Sequence, residues 1–156
     1  MTITATGVMI PIEEYPAISE EVFLDRAAHM LIENYRDKGG TWLGYESLLV
    51  TNKDGEIVGF LSLRSFLKAI GLCDPGNDNW FLDLVFSRRR ISNSTWRVKN
   101  FMCPLDGRTV RVNDNLDQVI RIMMKNQVDS VMVVDGDKAV GVIRVIDLLW
   151  FMEELL

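Results

Sequence analysis

Apolar positions along this chain follow first a helical and then a strand-like spacing, and that sequence of patterns occurs twice. In the second half, Leu116, Val119, Ile120, Met123 and Met124 fall at i, i+3, i+4, i+7 and i+8, which is one face of a helix. Asp114 is the predicted N-cap and Asp117 a first-turn acid. An apolar run from Ser130 to Val134, a two-residue Gly136-Asp137 turn and a second run from Ala139 to Ile143 predict a β-hairpin. A helix is predicted from about Val145, and Thr109–Val112 supplies a strand before the first helix.

The first half has the same order. Tyr15–Ile18 is the leading strand. Ser19 is the predicted helix cap, Glu20 and Glu21 lie in the first turn, and Phe23, Ala27, Met30 and Leu31 form the buried stripe. Ser47–Thr51, a two-residue Asp54-Gly55 turn and Ile57–Leu61 make the hairpin, with a helix from about Leu63. Each copy therefore reads β-α-β-β-α. Pro11 precedes Gly59 by 48 positions and Pro104 precedes Gly141 by 37, so the first copy carries 11 extra residues. They centre on the loop-like stretch Asp37–Gly44. A unit below about 60 residues buries its surface only marginally. The expected fold is thus α+β: two repeats sharing one core in a compact, pseudo-twofold arrangement.

The predicted organisation is a first repeat over 1–71, a connecting insert over 72–100 and a second repeat over 101–156. Within the insert, 79–91 reads as a helix carrying Trp80, Phe81, Leu84 and Val85. Arg88, Arg89, Arg90, Arg97 and Lys99 give its end five positive charges and no acid. Such a run fits phosphate contacts with stacking, or a solvated connector whose Trp80 and Trp96 pack on the core. The connector is preferred, because the chain as a whole carries a net charge of −5 and argues against nucleic acid as the main partner.

Composition narrows the class further. Apolar residues are 48% and charged residues 25% of 156, the balance of a globular protein. No apolar stretch approaches the roughly 20 residues that cross a bilayer, and the N-terminus lacks the pattern of a signal peptide. Cys73 and Cys103 are the only cysteines, which points away from disulfide frameworks and metal sites and toward a reducing, cytoplasmic setting. The single histidine, His29, sits beside an apolar stripe and reads as structural. There is no nucleophile elbow, no phosphate loop and no metalloprotease motif, so no catalytic residue is assigned. The last helix has two apolar stripes, Ile146/Leu149/Trp150 and Leu148/Met152/Leu155. A helix of a small monomer needs one, so the second predicts a partner surface.

The paired Met-x-Pro segments (Met9-Ile10-Pro11 and Met102-Cys103-Pro104), the Val133-Val134-Asp135-Gly136 hairpin and the Gly-h-h-x-x-x-Asp segment, where h is apolar, resemble the tandem CBS-domain pair, or Bateman module. The resemblance spans nearly the whole chain. It implies a non-catalytic regulatory module that binds an adenosine-containing ligand (AMP, ADP, ATP or S-adenosylmethionine) in the cleft between repeats and forms a flat homodimer through its helices. The family signature is Gly-h-h-Ser/Thr-x-x-Asp, in which the hydroxyl and helix N-terminus face phosphate and the carboxylate takes ribose hydroxyls. Both copies depart from it. Gly59-Phe60-Leu61-Ser62-Leu63-Arg64-Ser65 keeps the hydroxyl, Ser62, but has Ser65 in place of Asp. Gly141-Val142-Ile143-Arg144-Val145-Ile146-Asp147 keeps Asp147 but has Arg144 in place of the hydroxyl.

Each of these residues also has a plain reading: Ser62 as an N-cap, Asp147 as a first-turn acid, Arg144 as a solvated charge or a pocket filler. The rival to nucleotide sensing is accordingly a protein-interaction or dimerisation module whose ligand sites no longer bind.

Overall fold

The computed structural model describes residues 3–36, 47–65 and 97–155. The 37–44 insertion, most of the 72–100 connection with its predicted helix and its Arg88–Arg90 run, and the helix beyond Ser65 lie outside the described residues.

The chain folds into two compact units. One contains Met1–Tyr15 with Leu105–Leu156, the other Pro16–Pro104. These are not the segments of the sequence repeats, because each unit takes in a short arm from the other part of the chain. Each holds a four-stranded sheet with the same plan. In the first unit, β1 (Ile10–Pro11) lies at the edge, followed by β8 (Lys138–Arg144), β7 (Ser130–Asp135) and β6 (Thr109–Arg111). In the second the order is β5 (Cys103–Pro104), β4 (Ile57–Ser62), β3 (Ser47–Thr51) and β2 (Ala17–Ser19). The innermost pair is an antiparallel hairpin in both, and the strand that leads into the helix pairs parallel. Both hairpins also slip register at matching places, between Val50 and Thr51 and between Val133 and Val134. The helices are α1 (Leu24–Arg36), α2 (Leu116–Asn126) and α3 (Val145–Leu155), and Leu63 to Ser65 begin another.

The two arms are themselves a repeat. Ala5–Gly7 and Val98–Asn100 are single 3-10 turns, and each is followed by a two-residue strand, β1 or β5. Residues 97–100, at the end of the sequence insert, thus repeat the form of residues near the N-terminus. Ala5 donates to the Asp114 carbonyl at 2.8 Å, and Val98 donates to the Val22 carbonyl at 2.9 Å. Ala5 and Val98 are fully buried, each within its unit's core.

Each unit has a core of its own. One is built on Ile18, Leu24, Ala27, Leu48, Val50 and Leu61. The other is built on Val110, Val119, Met123, Val131, Val133 and Ile143. The opposite faces of the hairpins are also buried, at Leu49 and Phe60 and at Met132 and Val142. Strands covered on both faces read as continuous apolar runs rather than alternation, which is the pattern of SLLV and VMVV.

Several local expectations are corrected. Asn115, not Asp114, caps α2: its side chain accepts from Gln118 N–H at 2.9 Å, and Gln118 returns the bond to Asn115 N–H at 2.9 Å. Asp114 instead accepts from Arg111 N–H at 2.8 Å, holding the turn before the helix. Ser19 ends β2 and accepts from Glu21 N–H, because α1 starts only at Leu24. Phe23 lies outside the buried stripe, which runs through Leu24, Ala27 and Leu31. Ile120 and Met124 are likewise exposed, the buried line of α2 being Val119 and Met123 flanked by Leu116 and Ile122. The first hairpin turns through residues 52–56 rather than two residues, because Asn52 Oδ1 accepts from both Asp54 and Glu56 N–H at 2.9 Å.

The glycine of each signature motif has a steric reason. The arm strand passes directly over it, Gly59 against Pro104 and Gly141 against Pro11. A Cβ on Gly59 would run into the Cys103 carbonyl oxygen, a backbone atom. On Gly141 it would meet Met9, a flexible side chain, and the Ile10 carbonyl oxygen at 2.9 Å. Gly59→Ala should therefore cost about 1–3 kcal/mol, measured by urea unfolding, and Gly141→Ala less. Equal costs would show that backbone contact is not the controlling factor.

Two exposed ion pairs flank the buried Val98 at the end of the basic insert. Glu21 holds Arg97 at 2.7 Å and Lys99 at 3.1 Å, and the Arg97 guanidinium lies 5.2 Å from the Phe23 ring centre. The Lys99 ammonium first, and Arg97 after it, hold the Glu21 carboxyl below the usual glutamate range. A lowered carboxylate pKa favours the fold above that range, and the benefit fades as pH falls through it. Glu21→Gln should be slightly less stable than the parent near neutrality, with the two converging in acid. A constant gap across pH would remove the ion pairs as the cause. The site is exposed, so the difference should also shrink with added salt.

Candidate functional site

The four residues singled out in the sequence occupy matching positions, each pair within one unit. Ser62 ends β4 and Arg144 ends β8, where a strand passes directly into a helix. Their cross-strand partners also correspond, Ser47 for Ser62 and Ser130 for Arg144. Ser65 and Asp147 are the third residues of the helices that follow. One turn of helix brings i and i+3 together, so each signature forms a local pair.

The two pairs solve the same problem with different chemistry. The first helix N–H groups have no partner within the helix, and the strand's last N–H faces the turn. In the first copy, Ser65 N–H donates to Ser62 Oγ at 3.4 Å, and Ser62 N–H donates to Ser65 Oγ at 3.3 Å. The hydroxyls are 3.3 Å apart, and Cys103 Sγ lies 3.9 Å from Ser65 Oγ. This is a reciprocal cap, with Ser65 only 1% exposed. The plain reading of Ser62 as an N-cap describes its geometry, and Ser65 is part of the same cap.

In the second copy the carboxylate does the capping in reverse. Arg144 N–H donates to Asp147 Oδ2 at 2.9 Å. The guanidinium of the same residue then folds over the helix start, with Nε 3.0 Å from Oδ2 and Nη2 2.7 Å from Oδ1. The result is a two-pronged ion pair whose side chains are 10% and 9% exposed. Arg144 is therefore not the solvated surface charge of the plain reading. The family resemblance implied separate roles for Arg144 and Asp147; opposite charges at i and i+3 across a helix start were the signal for their pairing. An arginine side chain has donors only, so it cannot cap a helix N–H as Ser62 does.

Elsewhere in the Leu105–Leu156 unit, a polar cleft of about 540 Å³ lies between the β6–α2 turn and the β7–β8 turn, lined by Arg111, Asp114, Asp135 and Asp137 among others. Among the described residues, no group of three or more His, Cys, Asp or Glu side chains is gathered to hold a metal ion. No helix among them is long and apolar enough to cross a membrane. His29, read as a structural residue beside the apolar stripe, instead lies on the exposed side of α1, 3.1 Å from Glu33. On α3, Leu148 is buried, whereas Leu149, Met152 and Leu155 are more than half exposed, so the predicted second stripe is divided between core and surface.

Solved structures share this fold at low sequence identity. CBSX2 in complex with AMP is 19% identical, covers 97% of each chain and superposes with a TM-score of 0.69. A CBS domain-containing protein of unknown function from Bacillus anthracis is 15% identical, over 99% of this chain and 95% of that one, with a TM-score of 0.71. Hypoxic Response Protein I with two coordinated zinc ions is 17% identical, over 95% and 98%, with a TM-score of 0.63. One of these folds holds AMP and another zinc, so likeness of fold does not choose a ligand. No curated protein matches the sequence. The sequence model of the CBS domain matches twice, over residues 7–72 and 98–154, which is most of the chain. With two matched repeats and two sheets of one plan, the protein belongs to the CBS-domain family.

Proposed function

We propose that this protein is a regulatory, non-catalytic CBS module that senses a phosphate-bearing adenosine nucleotide through the start of α3. The observation that carries this reading is the Arg144–Asp147 pair: a guanidinium and a carboxylate held together where a strand ends and a helix begins. A guanidinium binds phosphate with two parallel hydrogen bonds. A carboxylate accepts two ribose hydroxyls. The helix N-terminus adds positive potential toward the phosphate. The AMP bound in the similar CBSX2 fold supports adenosine as the ligand class. The Ser62–Ser65 cap has no carboxylate, and the first copy is the weaker or empty site. A reducing cytoplasmic setting belongs to the same reading.

Calorimetry with AMP, ADP, ATP and S-adenosylmethionine tests it. The three phosphate-bearing ligands should bind below millimolar and S-adenosylmethionine more weakly. The ribose contact is tested from the ligand side. Losing hydrogen bonds to a charged acceptor costs about 1.5–3 kcal/mol, so 2′,3′-dideoxy-AMP should bind roughly ten- to a hundredfold more weakly than AMP. Equal affinity would remove Asp147 from ribose recognition.

A second reading has its own support. Both signature pairs are satisfied internally, which is what a module with closed ligand sites would show. If none of the four ligands binds below millimolar, the protein is an interaction module.

Either reading includes a homodimer through α3 and the helix that begins at Leu63. Leu63, Leu149, Met152 and Leu155 are each 51–68% exposed. Light scattering at high micromolar concentration should give twice 17.8 kDa, and Met152→Glu or Leu155→Glu should halve it. An unchanged mass in these variants would place the contact elsewhere.

A further inference from the structure

We infer that Arg144 is the specificity-determining residue of the α3 site: it occupies Asp147 until a ligand phosphate draws it away, so the site discriminates nucleotides from the bare nucleoside. This rests on the proposed nucleotide reading and adds to it a mechanism of selection. The geometry is the argument. Both carboxylate oxygens of Asp147 already accept from the guanidinium, at 2.7 and 3.0 Å, and Oδ2 accepts from the Arg144 N–H as well. With the pair about nine-tenths buried, little water reaches it to take over those bonds. A nucleoside offers two hydroxyls against a charged, two-pronged partner, and neutral donors lose that competition. A phosphate offers the guanidinium an equivalent two-pronged acceptor. Transfer of Arg144 from carboxylate to phosphate then frees Asp147 for the ribose: the guanidinium pairs with the phosphate, and the carboxylate accepts from the ribose hydroxyls and from the Arg144 N–H. The backbone bond from Arg144 N–H to Asp147 survives the transfer, because only the side chain moves. The first copy has no such device, since Ser62 and Ser65 carry no charge.

The arrangement makes Arg144 act in two opposite directions, and that separates it from an ordinary phosphate ligand. Arg144→Thr, which restores the family's hydroxyl, should weaken AMP and at the same time strengthen adenosine. The intact protein should prefer AMP over adenosine by about tenfold or more, and in Arg144→Thr adenosine should bind about tenfold tighter than in the parent. A residue that only bound phosphate would leave adenosine unchanged. Arg144→Lys keeps the charge without the fork and should give an intermediate adenosine affinity. The unmodified protein supplies a measurement that needs no variant. The Arg144 Nε–H resonance should shift on saturation with AMP and stay in place with adenosine at the same concentration. If AMP binds but adenosine affinity is unchanged in both variants, or the Nε–H signal ignores AMP, the selection mechanism is overturned and nucleotide sensing stands. If neither AMP nor adenosine binds the parent or either variant, nucleotide sensing itself fails.

Discussion

The close passage of a two-residue strand over a bare glycine backbone is the contact on which each unit depends. Where β5 crosses Gly59 and β1 crosses Gly141, the space a side chain would need is taken by backbone or by Met9. That crossing completes the fourth strand of each sheet. It also places the buried 3-10 turn of each arm, with Ala5 or Val98, against the start of α2 or α1, through hydrogen bonds to Asp114 or Val22. From the same glycine, three residues of strand lead to Ser62 or Arg144 and the helix start. Gly59 and Gly141 therefore fix the arm on one side and the candidate site on the other.

Elements with strong local signals were legible in the sequence. Ser130–Asp135, the Gly136 turn and Lys138–Arg144 form within a residue of the reading, and α3 begins at Val145 as expected. What escaped was decided by a neighbour in space. β1 and β5 have two residues each, too few to show a period, and each pairs with a strand distant in sequence, opposite Gly141 or Gly59. Ser19 has the chemistry of a cap, but pairing with Thr51 keeps it in a strand, and α1 waits until Leu24. Asp114 and Asn115 are both good caps, and Asp114 is drawn back to the Arg111 N–H. At the candidate site, the resemblance to the family signature named all four residues, and the structure pairs them two by two. That Arg144 bonds Asp147 required knowing that a guanidinium can fold back over one helical turn.

The two signature pairs show how one backbone junction tolerates unlike side chains. The demand is local: N–H groups at a strand-to-helix corner need acceptors. Two serines meet it with mutual, uncharged bonds. Arginine and aspartate meet it with a carboxylate and add a guanidinium that must itself be satisfied. Breaking a buried ion pair by removing one member costs about 3–5 kcal/mol. The second corner is thus the more constrained of the two, and its charge is retained at a junction that neutral residues can also close.

The exchange of arms also sets an order of assembly. The edge strand at Ile10–Pro11 finds its partner at Val142 and Gly141, near the other end of the chain. At about 5–20 residues per second, a ribosome takes on the order of ten seconds to make the intervening segment. The unit completed by Pro104 is the first that synthesis can finish. During that interval the N-terminal arm, with its apolar Ala5, Val8 and Met9, has no sheet to join, and the nascent chain must keep it from pairing elsewhere.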